Sequence, residues 1–245
     1  MVFAAVIGRP LLRTLIAFSR MRLRTRGITA TMVLVALGAV CFHAGLYASP
    51  RQWLGDVEAF EKVDKIKPPP QASVVFVGSS SIVRWTSLET DFPDFKTINR
   101  GFGGCELADS LYYADRIVVP YHPKAIVMYA GENDLDDGRK PEIVAADFKA
   151  FVTKVRFFLP GVRVIYISIK PSPLRWKHRA DIEATNAMIA AECAKDPGLT
   201  FINIFPLMLD TKGEPRLDLF KSDKLHMNPA GYAIWTPLVA AALRK

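Results

Sequence analysis

The chain reads as α/β: a three-layer α/β/α sandwich around a central, mostly parallel five-stranded sheet. Three observations carry that reading. From residue 73 onward, short apolar runs alternate steadily with longer amphipathic stretches. The amphipathic stretches are long enough to be crossover helices, and strands joined by such helices form parallel sheets covered on both faces. The most distinctive polar and glycine-rich segments fall just after the apolar runs, where ligands collect in open parallel sheets.

The elements follow in order. Strands are expected over residues 73–77, 97–99, 125–129, 162–168 and 200–203, and helices over 106–118, 141–158, 179–193 and 229–241. Pro141 near a helix start and Pro160-Gly161 after its end are the expected punctuation. Before them, residues 48–71 form a polar connector with a short helix around 53–63. It closes on Pro68-Pro69-Pro70, which favours an extended spacer. The sequence contains no internal repeat or low-complexity tract.

At 245 residues and 50% hydrophobic composition the chain can bury one substantial core, so residues 72–245 are read as a single folded domain. The net charge of +8 does not indicate a phosphate-binding surface. Arg9, Arg13, Arg20, Arg22, Arg24 and Arg26 stand in the first 26 residues with no acid among them, so the remainder carries only about +2. Residues 1–27 are thus a basic N-terminal region, and nucleic-acid binding is not expected.

Residues 28–47 (ITATMVLVALGAVCFHAGLY) carry no charge apart from the titratable His43 and are long enough to span a bilayer. The preceding arginines sit where a cytoplasmic flank belongs. Two readings compete: an uncleaved signal anchor and a cleaved signal peptide. Leu46-Tyr47-Ala48-Ser49-Pro50 is a poor small-x-small cleavage site and favours the anchor, whereas a start at Met21 would make MRLRTRG an ordinary basic leader. Either version puts the domain at 72–245 on the extracytoplasmic side: a single-pass membrane protein, or a periplasmic or secreted one if the leader is removed. Of the three cysteines, Cys41 lies in the apolar segment, and Cys105 and Cys193 are read as free buried thiols in preference to a bridge.

The chemistry comes from two distant segments. Gly78-Ser79-Ser80-Ser81 follows the first apolar run, and Asp223-Lys224-Leu225-His226 lies near the C-terminus. Ser80 is the candidate nucleophile. A serine hydroxyl is weak and needs a base, for which His226 is the candidate, with Asp223 fixing the imidazole tautomer. Acyl transfer also needs donors for the developing oxyanion. The backbone N–H of Ser80 at a helix start, the N–H of Gly104 and the side-chain amide of Asn133 are the candidates.

These residues stand in blocks that resemble the GDSL hydrolases, also called the SGNH hydrolase superfamily. The blocks are Val75-Phe76-Val77-Gly78-Ser79-Ser80, Asn99-Arg100-Gly101-Phe102-Gly103-Gly104, Gly131-Glu132-Asn133-Asp134 and Asp223-Lys224-Leu225-His226. The resemblance runs from about residue 73 to the C-terminus. It implies a flavodoxin-like SGNH hydrolase fold, with Ser80 as nucleophile, Gly104 and Asn133 in the oxyanion hole, and Asp223 and His226 completing the catalytic set. It also implies ester hydrolysis without cofactor or metal, on substrates among acetylated sugars, lysophospholipids, short-chain and aryl esters and some thioesters. An acyltransferase of the same fold, and a noncatalytic ligand-binding domain, are the rival readings. Ser79 replaces the aspartate of the name-giving motif, which is not the triad acid. Cys105 stands where Ser or Asp is more familiar, and either lines the pocket or packs in the core.

Around this set, Trp85, Arg175, Trp176 and His178 are candidate pocket residues. The two tryptophans have a core aromatic role as their alternative, and Arg175 has a solvated one. Glu132, Asp136 and Asp137 are read as a solvated turn rather than a metal site. The expected partners are a small-molecule or lipid ester and, through the N-terminal helix, a membrane. No obligate protein partner is expected.

Overall fold

The computed structural model describes residues 50–245, and the basic region and apolar segment expected at 1–47 lie outside them. Among the described residues no helix is long and apolar enough to cross a membrane. The strands are β1 (Val74–Gly78), β2 (Thr97–Gly101), β3 (Ala125–Tyr129), β4 (Arg163–Ile167) and β5 (Leu199–Ile202). The helices are α1 (Leu54–Ile66), α2 (Ser80–Val83), α3 (Leu88–Asp91), α4 (Leu107–Ile117), α5 (Glu132–Asp136), α6 (Pro141–Phe158), α7 (Arg179–Cys193) and α8 (Pro229–Leu243).

All four strand pairs are parallel, in the order β2-β1-β3-β4-β5. This is the doubly wound, flavodoxin-like order, whose switch point is the crevice between β1 and β3. Successive residues of β1 face opposite layers. Val75 and Val77 pack into one core with α1, α4, α6 and α7, while Val74 and Phe76 pack into the other with α2, α3 and α8. The three layers follow from strands that are apolar on both faces.

The expected strands all form, within one or two residues at most ends. The connector differs more. The short helix expected at 53–63 is a 13-residue helix, α1, built into the domain. Val57 is fully buried, Phe60 packs against the core, and Glu61 and Asp64 pair with Arg116 and Arg100. Two of the four acids of α1, Glu61 and Asp64, are used on the domain, while Asp56 and Glu58 stay exposed. The cluster expected to be a solvated turn also differs: Glu132 is 4% exposed.

Candidate functional site

β1 ends on Gly78, whose φ of +134° is strained for any L side chain, and a Cβ there would lie 1.9 Å from the Tyr129 carbonyl oxygen. Only glycine allows β1 and β3 to run this close while the chain turns. The Ser79 N–H donates to the Tyr129 carbonyl, and the Ser79 carbonyl then accepts from Ile82 N–H to start α2. Ser80 is the first residue of α2 and is partly exposed at the carboxyl end of the sheet.

The structure brings Asp223 and His226 to Ser80. His226 Nε2 lies 3.1 Å from Ser80 Oγ, and His226 Nδ1 lies 2.7 Å from Asp223 Oδ2. Asp223 Oδ1 accepts from the backbone N–H groups of Leu225 and His226, so one carboxylate folds the turn with one oxygen and holds the ring with the other. The turn also places Lys224 at a φ of +58°. Desolvation acts upward on the Asp223 carboxyl, but the His226 ring and the two backbone donors together outweigh it and hold it well below the usual carboxylate range. An ionised Asp223 keeps the proton on Nδ1, which leaves Nε2 as the acceptor for the Ser80 hydroxyl.

Asn133 enters from β3. Gly131 has a φ of +109°, and a Cβ there would lie 2.8 Å from Ile169 Cδ1, so the turn into α5 admits no larger residue without displacement. Asn133 Nδ2 donates to the Cys105 carbonyl at 2.8 Å, and Arg175 Nη1 donates to Asn133 Oδ1 at 2.8 Å. An acceptor on the nitrogen side and a cationic donor on the oxygen side fix which way the amide points. The second Nδ2–H is then available to a ligand. Gly103 and Gly104 are exposed, and a Cβ on Gly103 would lie 4.0 Å from Ser80 Cβ, so this loop borders the serine.

The other predicted pocket residues divide. Arg175 and His178 lie beside the site around one acid: Arg175 Nε is 3.2 Å from Asp136 Oδ2, and His178 Nε2 is 3.1 Å from Asp136 Oδ1. The Leu174 N–H donates to the Lys224 carbonyl, joining this loop to the one that carries His226. Trp85 is not brought to the site. It is 1% exposed, packs among Phe76, Phe92, Tyr232 and Trp235, and donates from Nε1 to Asp91. Trp176 is partly buried, stacks on Phe205 and lies under the Arg179 guanidinium. Cys105 is fully buried with its thiol near Ser110, and burial pushes the thiol well up. Only its carbonyl serves the site. Cys105 and Cys193 are both free.

Three of the clustered acids each have their own partner. Glu132 pairs with the buried Lys170 and accepts from Ser172 and Tyr129, while Asp136 serves Arg175 and His178. Asp134 accepts the Leu107 N–H at the start of α4. Burial pushes Asp134 up to about 7, with Glu106 and Asp147 adding to the effect. A carboxyl raised above its unfolded value of 3.8 binds its proton more tightly in the folded state. Its ionisation therefore costs stability increasingly as pH rises from about 4 to 7, by up to about 4 kcal/mol at roughly 1.4 kcal/mol per unit. Asp134→Asn keeps an acceptor for Leu107 and removes the charge. The variant is expected to gain on wild type between pH 5 and pH 8 in urea unfolding; an equal difference at both pH values would refute the assignment.

A hydroxyl, an imidazole and a carboxylate in hydrogen-bond sequence, beside a glycine loop and an oriented amide at the switch point of a parallel sheet, define a serine-hydrolase type of site. The chain belongs to the GDSL-like Lipase/Acylhydrolase family, whose model matches residues 73–234. Members of this family are characteristically serine hydrolases, and the chain is an enzyme of that kind. No curated protein matches it by sequence. Among solved structures it is similar to a GDSL-like lipase from Bacteroides thetaiotaomicron, with 21% identity, a TM-score of 0.67, and coverage of 77% of this chain and 97% of that one. It is also similar to a lipase/acylhydrolase from Enterococcus faecalis (16% identity, TM-score 0.57, 70% and 95% covered). A carbohydrate esterase family 3 protein from Talaromyces cellulolyticus aligns at 18% identity with a TM-score of 0.54, 69% of this chain and 95% of that one being covered.

Proposed function

We propose that the protein is a serine esterase that cleaves carboxylic esters through an acyl-enzyme on Ser80. The observation that carries this reading is the Ser80 Oγ–His226 Nε2 contact of 3.1 Å, backed by Asp223 at 2.7 Å. His226 takes the hydroxyl proton as Ser80 attacks the carbonyl carbon and returns it to the departing alkoxide. It then activates the water that releases the acid. Asn133 Nδ2 and the N–H groups of Ser80 and Gly104 receive the oxyanion. Ser80, Gly103 and Gly104 all have solvent exposure, so the water that releases the acyl group has open access to the serine.

The substrate classes proposed are short-chain esters, acetylated sugars and lysophospholipids. The apolar stretch at 28–47, preceded by arginines, supports a single-pass anchor with the catalytic domain outside the cytoplasmic membrane, close to envelope esters.

The test assays the full-length chain and its Ser80→Ala variant on acetyl-sugar, lysophospholipid and p-nitrophenyl esters of increasing chain length. Turnover by wild type that vanishes in the variant is expected, and the preferred ester assigns the substrate class. Turnover that appears only when a sugar acceptor is supplied would replace hydrolysis with acyl transfer. Equal turnover by both proteins would remove Ser80 from the mechanism.

A further inference from the structure

Residues 50–66 precede the segment that the family model matches, yet they reach the site. Helix α1 is fastened along its length. Asp64 accepts from Arg100 Nη2 and Tyr121 Oη, both at 2.5 Å, and Glu61 takes a two-pronged bond from Arg116 at 2.6 and 2.8 Å. Val57 is fully buried beneath the helix. This attachment sets the place of Trp53, the residue just before α1.

Trp53 touches the glycine loop from two directions. A Cβ on Gly104 would lie 3.1 Å from its Cη2, so the indole edge lies directly over that residue, and its ring sits 5.8 Å from that of Phe102. Its Nε1 donates to Asp109 Oδ2 at 2.9 Å. The same carboxylate oxygen accepts the Glu106 N–H at 2.9 Å and closes the capping box that begins α4 immediately after the loop. Asp109 is 9% exposed, so the indole N–H satisfies a carboxylate that burial pushes up.

Gly104 stands at a φ of +86°. Glycine is the residue least restricted by its own sterics, and the direction of its N–H depends on what surrounds it. We infer that Trp53 is a positioning residue that holds the Gly104 N–H in line with the oxyanion, making residues 50–66 part of the catalytic unit. The indole limits the loop on its open side, and its N–H locks the helix start that anchors the loop's far end. The inference rests on the proposal that Gly104 is an oxyanion donor.

The test compares the full-length wild type with Trp53→Ala and Trp53→Phe. It measures kcat and KM on a short aryl ester, and peptide-level hydrogen exchange across residues 100–106. Losing an oxyanion donor outright costs about 10²–10³ in kcat. A misaligned donor is expected to cost roughly 10- to 30-fold in Trp53→Ala, with KM within about twofold. Exchange at 100–106 should rise at least tenfold while β3 is unchanged. Trp53→Phe retains a ring over Gly104 but cannot donate to Asp109, and should fall between. Unchanged kcat and exchange in Trp53→Ala would overturn the inference, as would exchange that rises equally over the whole sheet. If wild type cleaves no ester, the esterase proposal fails by itself, and local exchange alone then decides whether Trp53 braces the loop.

Discussion

His226→Ala is expected to lower kcat/KM on any ester the enzyme accepts by on the order of 10⁴-fold, with the fold unchanged. The reason is the division of labour around one ring. Ser80 Oγ has His226 Nε2 at 3.1 Å as its base, and a serine hydroxyl without a base is a poor nucleophile at neutral pH. The same nitrogen returns a proton to the leaving alkoxide, so its loss affects both acylation and deacylation. What survives is the contribution of the oxyanion donors and of binding. Asp223→Asn should fall nearly as far as His226→Ala. Its amide oxygen stays on the Leu225 and His226 N–H groups, so its NH2 faces Nδ1 and holds the ring in the wrong tautomer, with Nε2 protonated. Because Asp223 is held well below the usual carboxylate range, its own titration should not shape the acid limb of the rate profile. Steady-state kinetics with circular dichroism on each variant checks this. A folded His226→Ala enzyme retaining more than about a tenth of wild-type kcat/KM would contradict His226 as base.

The second large effect is expected on stability, at the buried pair Lys170–Glu132. Their side chains are 1% and 4% exposed. Lys170 Nζ also donates to Tyr129 Oη at 3.1 Å, and Ser172 donates to the second Glu132 oxygen. Burial acts upward on the Glu132 carboxyl, but Lys170 and Arg175 more than compensate and keep it ionised. Burial lowers Lys170. Removing one member strands the other charge without water, at a cost of about 3–5 kcal/mol. Lys170→Met is therefore expected to lose that much in urea unfolding. Lys170→Met/Glu132→Leu should recover about 2 kcal/mol relative to the sum of the single losses, although Ser172 and Tyr129 then lack a partner. A midpoint for Lys170→Met equal to wild type would show that the pair does not hold this end of the sheet. The pair also bears on the site. Glu132 precedes Asn133 on α5, and Lys170 opens the loop that carries Arg175, so the variants should lose activity as well as stability.

Much of the architecture was legible because it is written in local pattern. Runs such as Val74-Val75-Phe76-Val77 are apolar on both faces, and their spacing by helix-length segments implies parallel pairing. Ser80, Asn133, Asp223 and His226 could be picked out because each stands in a compact block whose residue types suit one chemistry. The pocket residues were less legible. A tryptophan suits either a mouth or a core, and Trp85 went to the core because its neighbours, Phe92 close by in the chain and Tyr232 and Trp235 from the distant α8, are aromatic too. Arg175 reads in sequence as either a pocket cation or a solvated one. Its partner, Asn133, lies 42 positions away.

The acids of α1 and α5 show the same limit in another form. Glu61, Asp64 and Glu132 look solvated in sequence because charge is normally exposed. Whether a given carboxylate is instead held against the domain depends on a cation supplied by a different element: Arg116 for the partly exposed Glu61, Arg100 for the partly buried Asp64 and Lys170 for the buried Glu132. By itself, the sequence determined the layer order, the strand set and the residue types at the reactive centre, since hydrophobic period and glycine placement are local properties. The tertiary structure alone decided which charges are buried, which aromatics reach the mouth, and that Trp53 leans on Gly104. Those outcomes depend on contacts between residues far apart in the chain, and no local pattern encodes which partner will meet which.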